Sequence, residues 1–152
     1  MAHLLRTTLL LAISSLSFTS LPGCAGTGDG PPPIEASEAA LIGEWQVEEL
    51  DGQPLVASSE VALTFGLEGA FTGDSGVNRL RASYSFEGGT LQVSEVMATR
   101  MAGPPELMEQ EARLMSALAQ ARGVEVSGDH RLRLLDAEGE VLAVARAGPA
   151  PR

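Results

Sequence analysis

Residues 104–123 read PPELMEQEARLMSALAQARG and carry the one clear helical pattern downstream of the N-terminal segment. Large apolar residues recur there at three- and four-residue spacing, at Leu107, Leu114, Met115 and Leu118. Glu111 lies four residues after Leu107 and four before Met115, so it falls on the same apolar face. Burying a carboxylate is costly unless a polar group pairs with it. We therefore expect a helix that packs on a sheet and a partner for Glu111 elsewhere in the chain.

The ends of this helix are also marked in the sequence. Pro104 and Pro105 suit a first turn, because the N–H that proline lacks would be unbonded there. Arg122 favours the negative end of the helix dipole, and Gly123 is a typical residue just past a helix end. The pattern predicts a helix over about residues 105–121.

Short segments with alternating apolar residues surround the helix on both sides. Examples are Trp45 and Val47, the run Val61, Leu63 and Phe65, and the pair Leu132 and Leu134. Asp51-Gly52 and Gly88-Gly89 are turn signals between such segments. The sequence predicts an α+β domain: a strongly curved antiparallel sheet, or partial barrel, of about seven strands capped by one α-helix.

The composition limits the kinds of partner this protein can have. The net charge is −10, which argues against binding to nucleic acid or to anionic membrane surfaces. All 10 basic residues are arginine, and the single cysteine excludes an intrachain disulfide.

The first 23 residues are typical of a secretory signal, with Arg6 at the start and an apolar run from Leu9 to Leu16. The segment ends in Leu21-Pro22-Gly23-Cys24, which resembles a bacterial lipobox. That resemblance implies that Cys24 becomes the lipid-modified first residue, held by acyl chains such as palmitate in the outer membrane and facing the periplasm. The alternative is ordinary cleavage, which would leave a soluble protein with a free thiol. Residues 24–40 are rich in glycine and proline and predict a linker; residues 147–152 predict a frayed tail.

The domain between them, residues 41–146, carries a series of short motifs in a fixed order. They are Gly43-Glu44-Trp45, Gly76-Val77-Asn78, Tyr84, Thr99-Arg100-Met101-Ala102-Gly103-Pro104, Glu111 and Leu118. This order resembles the META domain of HslJ-like heat-inducible lipoproteins. Members of that family typically carry cysteines where this chain has Val77 and Gly103. The resemblance therefore implies a family disulfide that this protein lacks.

The same resemblance suggests where Glu111 finds its partner. Asn78, Thr99, Arg100 and Glu111 all fall at family motif positions. We expect them to form a partly buried polar cluster under the helix, with Arg100 or the backbone amides of residues 76–78 satisfying Glu111. The cluster is either a binding site or a structural lock between helix and sheet, and the lock is the favoured interpretation.

Catalytic and metal chemistry find little support in the sequence. Gly73-Asp74-Ser75-Gly76 resembles a serine protease nucleophile motif, but the only histidine before it, His3, lies in the signal segment. His130 is in a turn, and no histidine, cysteine or carboxylate spacing fits zinc or calcium. We expect no enzyme activity, no metal and no cofactor.

The sequence thus predicts a lipid-anchored cell-envelope protein that acts without catalysis. Its partners would be the membrane, through Cys24, and an unidentified envelope protein, but not nucleic acid. The family resemblance implies a role in envelope stress or drug tolerance through binding or scaffolding. The alternative is a carrier or inhibitor of small apolar ligands that uses the concave face of the sheet.

Overall fold

A computed structural model describes residues 37–149, which form an antiparallel sheet of ten strands and one long helix. The elements in chain order are α1 (Glu38–Leu41), β1 (Gly43–Leu50), β2 (Gln53–Pro54), β3 (Ala62–Phe65), β4 (Ala70–Asp74), β5 (Arg79–Glu87), β6 (Thr90–Val93), β7 (Met97–Ala98), α2 (Pro105–Gln120), β8 (Gly123–Val126), β9 (Arg131–Leu135) and β10 (Val141–Ala147). A 3-10 turn, Leu67–Gly69, connects β3 to β4. The predicted α+β class is confirmed.

The sheet closes on itself, but unevenly. Neighbouring strands follow the order β10-β9-β8-β6-β5-β4-β3-β1-β2, and β10 also pairs with β1. The contact between β6 and β8 is a single residue pair, Thr90 with Gly123, whereas β4 and β5 pair over five residues. The result is a ring-like, strongly curved sheet and not a regular barrel. The strand count exceeds the predicted seven partly because β2 and β7 have two residues each, too few to show an alternating pattern.

The two predicted turns have the backbone that their residues favour. Asp51 and Gly52 have φ values of 50° and 69°, and Gly88 and Gly89 have 56° and 84°. Positive φ at both central residues is the tight hairpin turn that matches the strand twist. These turns fix the hairpins β1–β2 and β5–β6.

Helix α2 covers the inner side of the sheet and contacts β1 and β10. Its fully buried side chains are Gln110, Leu114, Ala117 and Leu118, while Leu107, Glu111 and Met115 are only half-buried. The buried face is therefore rotated from the predicted one. The reason is Gln110, whose Oε1 accepts from the Val56 amide at 2.7 Å and whose Nε2 donates to Ser59 Oγ at 2.6 Å. A polar residue enters the interior because the loop before β3 satisfies it.

The helix begins where the sequence predicted and ends at Gln120. Arg122 caps that end, since its Nη1 donates to the carbonyls of Ala119 at 2.9 Å and Ala121 at 2.7 Å. Gly123 is not a helix-terminating residue here; it is the first residue of β8.

The folded part begins before residue 41. Helix α1 buries Leu41, and the Trp45 indole donates to the Leu41 carbonyl at 2.8 Å. At the other end β10 continues to Ala147, one residue beyond the expected boundary. The signal segment, Cys24, most of the predicted linker and residues 150–152 lie outside the described residues. Across residues 37–149, no helix combines the length and the apolar character that crossing a membrane requires.

Aromatic side chains fill the centre of the sheet. Phe65 packs edge-on against Phe71 and Tyr84, with ring centroids 5.1 and 5.2 Å apart. The Tyr84 hydroxyl donates to the Gly66 carbonyl at 2.8 Å. Burial of the ring, and secondarily the negative charge of Glu38, raise the pKa of Tyr84 above its usual value.

This shift predicts how the stability of the protein depends on alkaline pH. The raised pKa means that the folded state keeps the Tyr84 proton longer than the unfolded chain does. The associated stability is fully present below the unfolded pKa of about 10 and is lost as pH rises further, by up to about 1.4 kcal/mol per pH unit. Tyr84 is the only tyrosine and the chain has no lysine, so few other side chains titrate in this range.

The measurement is the free energy of unfolding by denaturant between pH 8 and 11, in a Cys24→Ser background that removes the thiol. Tyr84→Phe should lower stability at pH 8, because the bond to Gly66 is lost, but should flatten the alkaline decline. A Tyr84→Phe protein whose stability falls in parallel with that of the parent would contradict the assignment.

Candidate functional site

Asn78 lies at the centre of a buried hydrogen-bond network that joins three segments of the chain. The residue is 1% exposed and sits between the bend after β4 and the start of β5. Its Nδ2 donates to both carboxylate oxygens of Glu111, at 3.1 and 3.0 Å, and to the Met101 carbonyl at 3.2 Å. Its Oδ1 accepts from Thr99 Oγ1 at 2.7 Å and from the Met101 amide at 2.8 Å. One amide side chain thereby connects the bend, the loop after β7 and helix α2.

Ser75 provides the second donor to Glu111. Its hydroxyl is fully buried and donates to Glu111 Oε2. Ser75 Oγ also accepts from the backbone amide of Asn78 at 2.9 Å and, more weakly, from that of Val77 at 3.4 Å. The bend is held by Asp74, whose Oδ1 accepts from the Gly76 amide at 2.8 Å, and Gly76 has a φ of +87°. The sequence had suggested that backbone amides near residue 77 bond Glu111 directly. In the structure they bond the Ser75 hydroxyl, which in turn bonds Glu111.

We use the name Glu111 cluster for the side chains of Ser75, Asn78, Thr99 and Glu111. The structure brings Asn78, Thr99 and Glu111 together, but it places Arg100 elsewhere: Arg100 is exposed and has no ion pair or side-chain hydrogen bond among residues 37–149. The carboxylate is thus satisfied by neutral donors. A neutral amide and a hydroxyl fit a half-buried site better than a guanidinium, whose own charge would also have to be desolvated.

Sequence reasoning missed this role of Ser75 because the Gly73-Asp74-Ser75-Gly76 segment was weighed as a serine protease nucleophile motif. A signal was available, since serine three residues before Asn78 is well placed to bond the following backbone amides. Within the described residues, every fully buried side-chain nitrogen or oxygen has a hydrogen-bond partner. The Glu111 cluster is therefore complete without any ligand.

Val77 and Gly103 lie against each other at the edge of this cluster. A Cβ atom built on Gly103 would lie 3.6 Å from Val77 Cβ and only 2.9 Å from Val77 Cγ2. Disulfide-bonded residues have Cβ atoms about 3.5–4.5 Å apart. The two positions at which the family resemblance implies cysteines are thus close enough for a disulfide here, and the Val77 side chain occupies the space that a second side chain would need.

A surface groove of about 710 Å³, which we call the methionine groove, borders the Glu111 cluster. Its apolar lining is Val96, Met97, Ala98, Met101, Ala102 and Met108, and its charged lining is Glu95, Arg100 and Glu111. Met97 and Met101 are among the most exposed large apolar side chains of the described chain.

A second groove, of about 590 Å³, lies on the outer face of the sheet, and we call it the outer-face groove. One cross-strand row of its lining is Glu44, Thr64, Thr72, Arg81 and Met97, on β1, β3, β4, β5 and β7. Small side chains form its floor, with Glu44 on β1, Asp74 on β4 and the two arginines on β5. Arg79 and Arg81 have no ion pair among residues 37–149.

The arginines of β5 and β9 do not form one basic stripe. Strand β5, with Arg79 and Arg81, has β4, β6 and β7 as neighbours, whereas β9 pairs with β8 and β10. Arg133 on β9 instead pairs with Glu125 on the neighbouring strand β8, and Arg131 pairs with Glu48 on β1, beyond β10. Both arginines therefore lie on a solvated face where acidic side chains balance them.

Reactive side chains are not grouped in the described part of the chain. Ser75 is fully buried, so a substrate has no path to its hydroxyl, and its partner is a carboxylate. His130 is a turn residue with a φ of 60°. No three histidine, cysteine or acidic side chains of residues 37–149 come together as a metal site.

Comparison with known proteins finds a matching family and solved structures with a similar fold. A family model described as the META domain matches residues 39–149. None of the curated proteins matches the chain. A protein from Burkholderia xenovorans solved by NMR is 21% identical, with a TM-score of 0.62, and the match covers 91% of this chain and all of the other.

Two further solved structures have the same fold. Another NMR structure is 19% identical, with a TM-score of 0.58, and the match covers 73% of this chain and 95% of that one. A DUF4847 family protein from Bacteroides vulgatus is 14% identical, with a TM-score of 0.54, and the match covers 76% and 98%. At these identities the likeness concerns the fold alone.

A charge change inside the Glu111 cluster tests its function as a lock. Asn78→Asp keeps the shape of the side chain but places a carboxylate where Nδ2 now donates to Glu111. We expect a loss of about 3 kcal/mol in the free energy of unfolding at pH 7, because two donated bonds are replaced by repulsion. Denaturant unfolding monitored by Trp45 fluorescence measures this loss of stability.

The matched control is the double variant Asn78→Asp/Glu111→Gln, in which the new amide at position 111 can donate to the new carboxylate at position 78. Stability should return toward that of the parent protein. If the double variant is no more stable than Asn78→Asp alone, the two side chains are not coupled as described.

The contact between Val77 and Gly103 predicts a disulfide that can be restored. In a Cys24→Ser background, Val77→Cys/Gly103→Cys should oxidise without a change of fold. Closing a loop of about 26 residues should make the oxidised form about 3–4 kcal/mol more stable than the reduced form in the chain-entropy model. Thiol titration measures disulfide formation, and denaturant unfolding with and without reductant measures the difference in stability. Two thiols that stay free under mild oxidation would rule out the predicted proximity.

Proposed function

The chain belongs to the META domain family, a bacterial envelope-type domain, and from that premise we propose that it is a lipid-anchored, non-catalytic scaffold of the cell envelope. In this proposal Cys24 carries the lipid, and the folded domain presents its surface to another envelope protein. The contribution to stress or drug tolerance that META proteins suggest would follow from that contact.

The observation that carries the proposal is the packing of the interior. Leu63, Phe65 and Phe71 from the sheet and Leu114 and Leu118 from α2 are all fully buried in one core. The concave side of the sheet is thus filled by side chains of the protein itself. A carrier for apolar ligands needs a concave, mostly apolar pocket of a few hundred Å³ at least, so the filled core favours the scaffold.

The Glu111 cluster supports the same conclusion. Each hydrogen-bonding group that faces Glu111 already has a partner within the protein. A binding site would be expected to leave some donors or acceptors directed at a ligand. The cluster instead fixes helix α2 relative to the loop after β7, which keeps the outer surface rigid.

The outer-face groove is the surface that we propose for the partner. Its floor of Ala62, Thr64, Thr72 and Gly73 lets another chain approach closely. Glu44 on β1 at one side and Arg79 and Arg81 on β5 at the other give it opposite charges across the strands, with Asp74 on β4 directly opposite Arg79. A partner segment with the reverse order of charges would be complementary to it, and such charge patterns select partners more than they add affinity.

The proposed anchor fits this geometry. The fold begins at Glu38, so residues 25–37 connect it to Cys24. Fully extended, a segment of that length spans at most roughly 45 Å. The anchor would thus hold the domain near the membrane surface and limit its partners to envelope proteins.

In-cell photocrosslinking tests the proposal. A photoreactive residue at Thr72, in the floor of the groove, should yield one defined adduct with an envelope protein. The matched control is Thr90, an exposed strand threonine on β6 that does not line the groove. Arg79→Glu/Arg81→Glu should reduce the Thr72 adduct at least about tenfold, because it reverses the charge on one side.

The same experiment separates the anchor from the contact. Cys24→Ser should abolish lipidation, seen as the loss of the acyl mass on the N-terminal fragment, and should weaken the Thr72 adduct. An unmodified Cys24 in the parent protein would overturn the anchor. Equal adducts from Thr72 and Thr90 would overturn the groove as the contact surface.

A further inference from the structure

Methionine side chains are distributed unequally in this domain. Of the four methionines among the described residues, Met97, Met101 and Met108 line the methionine groove, whereas Met115 packs against the core. Met97 is 64% exposed and Met101 is 63% exposed. Exposing a long apolar side chain gives up the free energy that its burial would contribute. Packing therefore does not explain why these side chains are here.

The backbone that carries the exposed methionines is fixed. Asn78 holds Met101 from both sides, because it accepts from the Met101 amide at 2.8 Å and donates to the Met101 carbonyl at 3.2 Å. Met97 is placed by its pairing with Arg81 on β5. The groove thus combines a rigid frame with flexible side chains.

The third methionine comes from the helix. Met108 lies three residues before Glu111, so the two share one face of α2. Asn78 also bonds Glu111, and the same side chain therefore sets the position of the helix relative to Met101. Methionine has three rotatable bonds, which lets sulfur atoms on a fixed backbone turn toward a common point.

From this arrangement we infer that the methionine groove binds a soft monovalent cation, Cu(I), through the thioether sulfurs of Met97, Met101 and Met108. Thioethers are neutral, soft ligands that favour Cu(I) over borderline and hard divalent ions. The groove offers no histidine or cysteine, the ligands on which zinc and Cu(II) sites usually depend. The sequence-based expectation of no metal site rested on histidine, cysteine and carboxylate ligands. It did not take the thioether sulfurs of methionine into account.

The charges around the groove fit an ion of charge +1. Glu95 and Glu111 contribute two negative charges and Arg100 one positive charge, which leaves the lining at −1. One monovalent cation would neutralise it, while a divalent ion would leave an excess of positive charge near Arg100. The net charge of the whole chain, −10, also attracts cations.

The test uses the full mature chain with Cys24→Ser, which removes the only thiol as a competing ligand. Cu(I) is supplied anaerobically with a chromogenic chelator as competitor, and Ag(I) serves as a redox-inert probe of the same chemistry. We expect one ion per chain. Met97→Leu, Met101→Leu and Met108→Leu should each weaken binding at least about tenfold, because leucine keeps the volume but removes the sulfur.

Met115→Leu is the matched control and should bind as the parent does, since Met115 packs against the core and does not line the groove. A second readout is the NMR signal of ¹³C-labelled methionine methyl groups during Ag(I) titration. The signals of Met97, Met101 and Met108 should shift together up to one equivalent, while that of Met115 stays in place.

Two results would overturn the inference. One is a triple leucine variant that binds Cu(I) as tightly as the parent protein does. The other is an equal response to Zn²⁺ at the same concentration, which would indicate general attraction of cations to an acidic protein. Either result leaves the proposed scaffold role unaffected, because that role rests on the outer-face groove and on the Thr72 adduct.

Discussion

The hydrogen bonds between Asn78 and Glu111 determine how the long helix sits on the sheet. A carboxylate on the inner side of a helix is tolerated only when donors compensate its desolvation, and Asn78 and Ser75 supply them. Since Asn78 also holds the backbone of Met101, one residue fixes the bend, the loop after β7 and the helix together. The position of the methionine groove, whose lining includes Asn78, Met101 and Glu111, follows from that arrangement.

The absence of cysteines at positions 77 and 103 makes this network more important. A disulfide would tie the bend to the loop that leads into α2 by covalent means. Here Val77 packs against Gly103, and the tie between these segments consists of the bonds around Asn78. The chain thus uses a noncovalent network at the place where the family resemblance implies a disulfide.

Much of the fold was predictable because its signals are local. The apolar spacing of Leu114 and Leu118 indicated the helix, alternation indicated the longer strands, and Asp51-Gly52 and Gly88-Gly89 indicated two hairpins. Elements with little local signal were missed: the two-residue strands β2 and β7, and helix α1, which has only four residues. The Ser37 cap, the burial of Leu41 and the bond from Trp45 to the Leu41 carbonyl hold that helix. Gln110 was missed for a related reason, since its burial depends on Val56 and Ser59, more than fifty residues away.

What the sequence determined by itself was the class of the domain, the helix and its approximate bounds, and the need for a partner to Glu111, because each follows from residues close together in the chain. Which residue meets that need was decided only by the tertiary structure. The geometry of the bend directs Ser75 and Asn78 at the carboxylate and leaves Arg100 in solvent, although all of them lie in neighbouring motifs. The gathering of three methionines in one groove is likewise a property of the fold, because Met108 reaches it from a helix and Met97 from a strand.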